Sequence, residues 1–267
     1  MIKIKKMGIW ITEKCPLRCS FCENSDDYFK NAKNMSLENF KLKVNDVVKN
    51  NIEIIDLTPL VGEILNLKNI EEYFDILDEN KKIKEYSFIT CLISSKKNIK
   101  KLINRPKLKL EISLYGVDKE EYKFRTNKDL FDTFLSNLKY LLSVYSKEIT
   151  IVNRTSVNDK KLFERKMSPH LNFLLKKCTI DEKWVVDRKN YSEIMEQKNI
   201  NEFECHWMTE PVLSNDGICF CCFDSKKEYV SKKSINELYS KDNFLKHIKK
   251  IKICNEKCGW YKPLKNE

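Results

Sequence analysis

Cys15, Cys19 and Cys22, in the run Thr-Glu-Lys-Cys-Pro-Leu-Arg-Cys-Ser-Phe-Cys, have a C-x3-C-x2-C spacing that offers three thiolates to one metal centre. Zinc and most iron–sulfur sites take four protein ligands, so a closed loop of three cysteines leaves one position of a [4Fe–4S] cluster open for a substrate or cofactor. A second set of thiols comes late in the chain, in Cys205-His-Trp, Asn215-Asp-Gly-Ile-Cys-Phe-Cys-Cys-Phe-Asp224 and Cys254-Asn-Glu-Lys-Cys258-Gly-Trp. The Asp-Gly turn between apolar residues predicts a β-hairpin, which brings Cys205 and the Cys221–Cys222 pair together. Four converging thiolates suit a second cluster or a structural zinc. Other chemistries lack their residues. There is no G-x-G-x-x-G and no G-x-x-x-x-G-K-[ST], and His170, His206 and His247 form no H-E-x-x-H pair.

Groups of this kind need a scaffold, and from Met7 to Asp187 short apolar runs alternate with longer amphipathic segments, the pattern of βα units on a parallel sheet. Strands are expected at Met7–Ile11, Ile52–Leu57, Glu85–Thr90, Leu108–Leu114, Glu148–Asn153 and Trp184–Asp187. Ser36 reads as an N-cap, followed by Leu37, Phe40, Val44, Val47 and Val48 on one helical face. Leu130, Phe131, Phe134, Leu135, Leu138, Leu141 and Leu142 form a second such stripe, and both are expected to pack the core. In βα folds the reacting groups gather at the C-terminal ends of the strands, and the three-cysteine loop directly follows the first expected strand. Of five glycines, Gly62, Gly116 and Gly217 fall inside candidate site segments. From about Asn201 the pattern gives way to short turns and six of the eleven cysteines, so domains of 1–200 and 201–267 are expected.

At 267 residues with 42% hydrophobic residues the chain can bury a sizeable core. The odd number of cysteines and the lack of a signal-peptide pattern in Met1–Trp10 argue against a disulfide framework and for a reducing cytoplasm. No apolar run approaches the roughly 20 residues of a membrane span. A formal charge of +11 reads first as a lysine-biased solvated surface, and second as attraction to an acidic partner.

The early cysteine run resembles the signature of radical S-adenosylmethionine (radical SAM) enzymes, in which the amine and carboxylate of SAM fill the open iron position. Thr58-Pro-Leu-Val-Gly-Glu-Ile64 looks like a variant of that family's Gly-Gly-Glu-Pro stretch, with Val61 and Ile64 replacing Gly and Pro. The resemblance assigns Gly62 and Glu63 to the SAM amino group, an anion facing an ammonium. Glu111-Ile-Ser-Leu-Tyr-Gly116 is similar to the segment whose strand-end serine, here Ser113, contacts the SAM ribose. Arg125 resembles the arginine that pairs with the SAM carboxylate, a role suited to a guanidinium fork. Thr90 and Cys91 fall where the family often shows Thr-Asn-Gly, which carries Thr90 as a further SAM contact, and Phe21 matches the aromatic position beside the adenine.

The late cysteines resemble the "twitch" form of the SPASM domain, which holds an auxiliary [4Fe–4S] cluster. The resemblance assigns Cys205, Cys222, Cys254 and Cys258 as its ligands. Counting from Gly217 favours Cys222, whereas aligning on the Cys-Cys-x-Asp end favours Cys221. The implied fold is α/β, a partial (β/α)6 TIM-like barrel with a small C-terminal cluster domain. The implied activity is reductive cleavage of SAM to a 5′-deoxyadenosyl radical that abstracts hydrogen from a substrate C–H bond. Dehydrogenation or epimerisation of a small polar metabolite, such as an aminosugar, cyclitol or nucleotide-linked sugar, is the leading expectation, because no room precedes Cys15 for a peptide-recognition domain. Modification of a ribosomally made peptide is the alternative. Cys91, Cys219 or Cys221 could return a hydrogen atom to the substrate, and Asp187, Asp224 and His206 are candidate bases. The expected partners are SAM, the substrate and a flavodoxin- or ferredoxin-like electron donor, without membrane or nucleic acid. A zinc-stabilised nucleic-acid-binding protein and a simple ferredoxin are the rivals, although neither explains a six-strand βα body.

Overall fold

The computed structural model describes residues 4–22, 26–58, 61–155, 165–181, 210–219, 230–240 and 243. Its order is β1 (Met7–Ile9), α1 (Asp26–Lys30), α2 (Leu37–Lys49), β2 (Ile54–Asp56), α3 (Ile70–Glu79), β3 (Glu85–Thr90), α4 (Lys96–Lys100), β4 (Leu108–Leu114), α5 (Lys119–Thr126), α6 (Phe131–Val144), β5 (Ile149–Asn153), α7 (Pro169–Leu175), β6 (Thr179–Asp181), β7 (Val212–Leu213), β8 (Ile218–Cys219) and α8 (Ile235–Leu238). One sheet runs β6-β5-β4-β3-β2-β1-β7-β8, with β1 to β6 parallel in chain order and β8 antiparallel to β7. Each parallel step is bridged by helix, so this is the expected α/β fold. Its strand order is compatible with a partial barrel.

Burial explains the crossovers. Residues alternate across a strand, and in β3 and β4 Tyr86, Phe88, Leu108, Leu110 and Ile112 are buried. Phe74 of α3 stacks on both Tyr86 and Phe88 with ring centroids 5.7 Å apart, and burying a ring of this size contributes about 2 kcal/mol. Helix α2 follows the expected register: Ser36 Oγ accepts from Asn39 N, and Phe40, Val44 and Val47 are buried. The opposite strand face is more polar. Asp56, Ile89, Glu111 and Thr150 are only partly buried there, with Ser87 and Ser113 more enclosed.

The first strand is shorter than expected. It stops at Ile9 because the backbone changes partner just beyond it: Trp10 N still donates to Leu213 O of β7 at 2.8 Å, but Ile11 O accepts from Met35 N at 2.8 Å. The sixth strand of the sheet is Thr179–Asp181, earlier than expected, and the run at Trp184–Asp187 lies outside the described residues. The Asp-Gly hairpin forms as β7–β8, and β7 lies parallel to β1, so residues beyond the expected boundary at 201 extend the same sheet. Gly217 has φ +140°, a conformation that favours glycine, and Gly8 lets β7 approach, since a Cβ there would meet Val212 Cγ2 at 2.8 Å.

Candidate active site

The cysteine loop leaves the C-terminal end of β1 and is held largely by main-chain bonds. Arg18 N donates to Thr126 O at 3.1 Å and Ser20 N to Arg125 O at 2.7 Å, so the loop sits on the carbonyl end of α5. Glu63 N donates to Lys14 O at 2.8 Å, and Cys22 N to Cys19 O at 3.0 Å. The Arg18 guanidinium donates to the carbonyls of Cys15 (2.9 Å) and Leu17 (2.8 Å) and lies over the Phe29 ring. Trp10 Nε1 bridges the carbonyls of Thr12 and Val61, which binds the loop after β2 to the loop after β1. Gly62 is required at this junction. Its φ is +134°, and a Cβ would overlap Thr12 O.

The three thiols are partly buried and close enough to act on one another. Burial pushes the Cys15 thiol up to about 12, with further rises from Glu63 and Cys22. Cys19 is raised further by burial and by Cys15 and Cys22, and Arg154 offsets part of that. Thiols so enclosed stay protonated until a cation offsets their charge. Among the described residues no three His, Cys, Asp or Glu side chains converge on a single metal ion. A [4Fe–4S] cube takes each thiolate on a separate iron and leaves a fourth iron open, so three cysteines of one loop match its needs and fall one ligand short of a structural zinc site.

Glu63 is buried beside the thiols. Its Oε1 accepts from Thr90 Oγ1 (2.8 Å) and Leu65 N (3.1 Å), and its Oε2 from Cys91 N (2.6 Å). Burial raises its carboxyl above the usual range, and these donors partly offset the rise. Cys91 is also buried, with its thiol bonded to Glu63 and pushed well up by desolvation. The chain turns here through Leu92 at φ +58°, a strained conformation for leucine. Asn137 of α6 steadies the turn by donating to Leu92 O and Ser94 O, both at 2.9 Å.

Ser113 is buried at the end of β4, next to Tyr115, which stacks on Phe21 with centroids 5.7 Å apart. Arg125 Nε donates to Glu121 Oε1 at 3.1 Å along α5. Thus Cys15, Cys19, Cys22, Phe21, Gly62, Glu63, Thr90, Cys91, Ser113 and Arg125 all lie at the C-terminal side of β1–β4 or in the loops and helix that follow. Cys219 is elsewhere, in β8 of the hairpin, packed with Trp10, Val61 and Val212. Cys205, Cys221, Cys222, Cys254 and Cys258 lie outside the described residues, as do Asp187, Asp224 and His206.

Sequence reasoning missed Arg154, Tyr115, Arg18 and Asn137. For Arg154 and Tyr115 a signal was present, since each directly follows a strand whose C-terminal end faces the site. Asn137 is a lone polar residue at a buried position between Phe134 and Leu138.

The model of the Radical SAM superfamily matches residues 9–164, which span β1 to β5. A GTP 3′,8-cyclase of Campylobacter jejuni subsp. doylei is 28% identical over 163 residues, 60% of this chain and 50% of that protein. The chain thus spans about half the length of the curated relatives it matches. Two solved structures share the fold at low identity. Streptococcus suis SuiB bound to S-adenosylmethionine has TM-score 0.59 and 15% identity, covering 97% of this chain and 69% of that one. Native anSMEcpe with bound AdoMet and Cp18Cys peptide has TM-score 0.61 and 13% identity, covering 97% and 87%. With the family match enclosing the cysteine loop, Glu63 and Ser113 over more than half its length, the chain belongs to the radical SAM superfamily.

Proposed function

We propose that the chain is a radical SAM enzyme that abstracts hydrogen from a substrate C–H bond, with Cys15, Cys19 and Cys22 as the ligands of a [4Fe–4S] cluster. The observation that carries this reading is the gathering of three partly buried thiols in one loop beside buried Glu63. When bound, the cluster supplies the electron that cleaves SAM and releases a 5′-deoxyadenosyl radical. The chain's own residues bind and shield. Glu63, backed by Gly62 and Thr90, takes the SAM ammonium, and Arg125 takes its carboxylate. Ser113 contacts the ribose, and Phe21 on Tyr115 flanks the adenine. The arrangement is a partial (β/α)6 barrel over 1–200, whose walls exclude water.

Residues 201–267 form the twitch/SPASM-like part of this reading, in which Cys205, Cys254, Cys258 and one of Cys221 or Cys222 hold an auxiliary cluster. Cys91, Cys219 and Cys221 are the thiols for hydrogen return, and a flavodoxin- or ferredoxin-like protein of a reducing cytoplasm supplies electrons. The substrate is a small polar metabolite such as a nucleotide-linked sugar, undergoing dehydrogenation or epimerisation. The polar strand face carrying Asp56, Glu111 and Thr150, the charge of +11 and the nucleotide-named relatives support this. A peptide substrate is the second reading, favoured by the peptide bound in the similarly folded anSMEcpe.

The test is anaerobic reconstitution of the wild type and of a Cys15/Cys19/Cys22→Ala variant, with iron, sulfide and 5′-deoxyadenosine measured. About eight iron in the wild type and about four in the variant are expected, with SAM cleavage lost only in the variant. Zinc in place of iron, or iron without SAM cleavage, overturns the reading.

A further inference from the structure

Trp10 is buried, with 3% exposure, and its indole Nε1–H serves two carbonyl oxygens at once, Thr12 O at 2.7 Å and Val61 O at 2.8 Å. One donor shared between two acceptors is a three-centre bond. Without it, two enclosed carbonyls would face each other with no proton between them, and buried acceptors left unmatched are costly. Phenylalanine would fill much of the space but offers no donor. The two carbonyls come from different loops. Thr12 stands three residues before Cys15, and Val61 stands two before Glu63. Thr12 O is also the atom that a Cβ on Gly62 would overlap, at 2.4 Å, so both loops meet at this oxygen.

The indole is itself seated by the late hairpin. Trp10 N donates to Leu213 O at 2.8 Å, and the ring packs with Val212 of β7 and Cys219 of β8 as well as with Val61. Two residues earlier, Gly8 N donates to Pro211 O at 2.8 Å, and the missing Cβ of Gly8 lets Val212 come close. A continuous set of contacts therefore runs from the hairpin through Trp10 to Val61 and on to Gly62-Glu63. A direct tie from Glu63 N to Lys14 O, at 2.8 Å, does not involve the indole. Loss of the indole N–H thus loosens the Glu63 turn without detaching it.

We propose that Trp10 is a positioning residue through which the β7–β8 hairpin fixes the Glu63 turn, and that it thereby sets the affinity for the SAM ammonium. This rests on the SAM reading above. A carboxylate–ammonium contact is short and directional, so a displaced Glu63 weakens SAM while the rest of the ligand keeps its own contacts. Trp10 acts through Glu63 and not by touching SAM.

The test compares the reconstituted wild type with Trp10→Phe and with a protein carrying 3-benzothienylalanine in place of Trp10, which keeps the two-ring shape and puts sulfur where the N–H stood. A further variant, Val212→Ala, removes hairpin methyls from the indole. Measured are iron content, affinity for SAM and for deamino-SAM, which lacks only the amine, and hydrogen exchange of the Glu63 and Leu65 amides in the iron-free chain. Full iron is expected in all four proteins. SAM should bind about tenfold more weakly in both Trp10 variants, with deamino-SAM little changed and the two amides exchanging faster. Val212→Ala should move SAM affinity in the same direction by less. Unchanged SAM affinity or unchanged exchange in the benzothienylalanine protein overturns the inference, as does an equal loss for both ligands. Iron lost from the Trp10 variants assigns the residue to the cysteine loop instead, and an inert Val212→Ala removes the hairpin; either result overturns it too. A wild type that takes up no iron removes the cluster reading, and one that binds SAM and deamino-SAM alike removes the Glu63–ammonium reading, which separates those failures from the others.

Discussion

The Glu63 carboxylate accepts from neutral donors, Leu65 N, Thr90 Oγ1 and Cys91 N, so its charge is only partly offset inside the protein. Because burial raises its pKa, the folded chain holds that proton more tightly than the unfolded chain does. Its contribution to stability is thus greatest in acid and is lost as pH rises from the ordinary glutamate range toward the folded value. Glu63→Gln should therefore gain stability relative to wild type in the iron-free chain as pH rises above the ordinary glutamate range of about 4.3, read by urea unfolding. A gap that stays level over that rise would mean that the carboxylate is already fully compensated. Gly62→Ala, next to it, should cost more than about 1 kcal/mol and lower iron uptake, since it combines a positive φ with overlap on Thr12 O. At this scale residue type and spacing marked Cys15, Cys19, Cys22 and Gly62-Glu63, and the fold places all five in the loops that follow β1 and β2. Arg18 was not readable, because its role is to bond carbonyls whose path only the fold sets.

The elements were readable wherever burial alone decides them. The bounds of β3 and β4 match expectation, because both are central strands with neighbours on each side. The end of the short strand β1 was misjudged, since an apolar run does not reveal where its backbone changes partners. Helix α6 makes the same point in reverse: its apolar stripe was evident, but Asn137 within it serves the strained turn at Leu92. Asn137→Ala should destabilise the chain by about 1–3 kcal/mol in urea unfolding, because two enclosed carbonyls lose their donor. Asn137→Asp should be at least as costly, since it brings a buried charge and no amide donor. If both variants unfold like the wild type, the turn does not depend on α6.

Across the whole molecule, the sheet continues past β1 into the hairpin, so the early and late parts of the chain share a backbone ladder. No helix among the described residues is long and apolar enough to cross a membrane. The net charge of +11 has a kinetic consequence for an anionic substrate: its KM should rise several-fold as ionic strength increases through the physiological range, while that of a neutral substrate stays level. Removing iron with a chelator should leave far-UV circular dichroism and a cooperative thermal transition in place, because the core of buried strands and helices does not include the thiols as its main support.

The bonds that carry the cysteine loop run from main chain to main chain, through the amides of Arg18, Ser20 and Glu63. Such anchors do not read side-chain identity. Apart from Arg18, whose guanidinium bonds the carbonyls of Cys15 and Leu17, the loop can therefore exchange residues between its cysteines and keep its path. It cannot accept a residue without an amide proton at those three positions, since each would lose an anchor outright. The natural proline, Pro16, stands outside all three. Proline placed at 18, 20 or 63 should thus abolish iron uptake, whereas alanine at 18 or 20 should only weaken it.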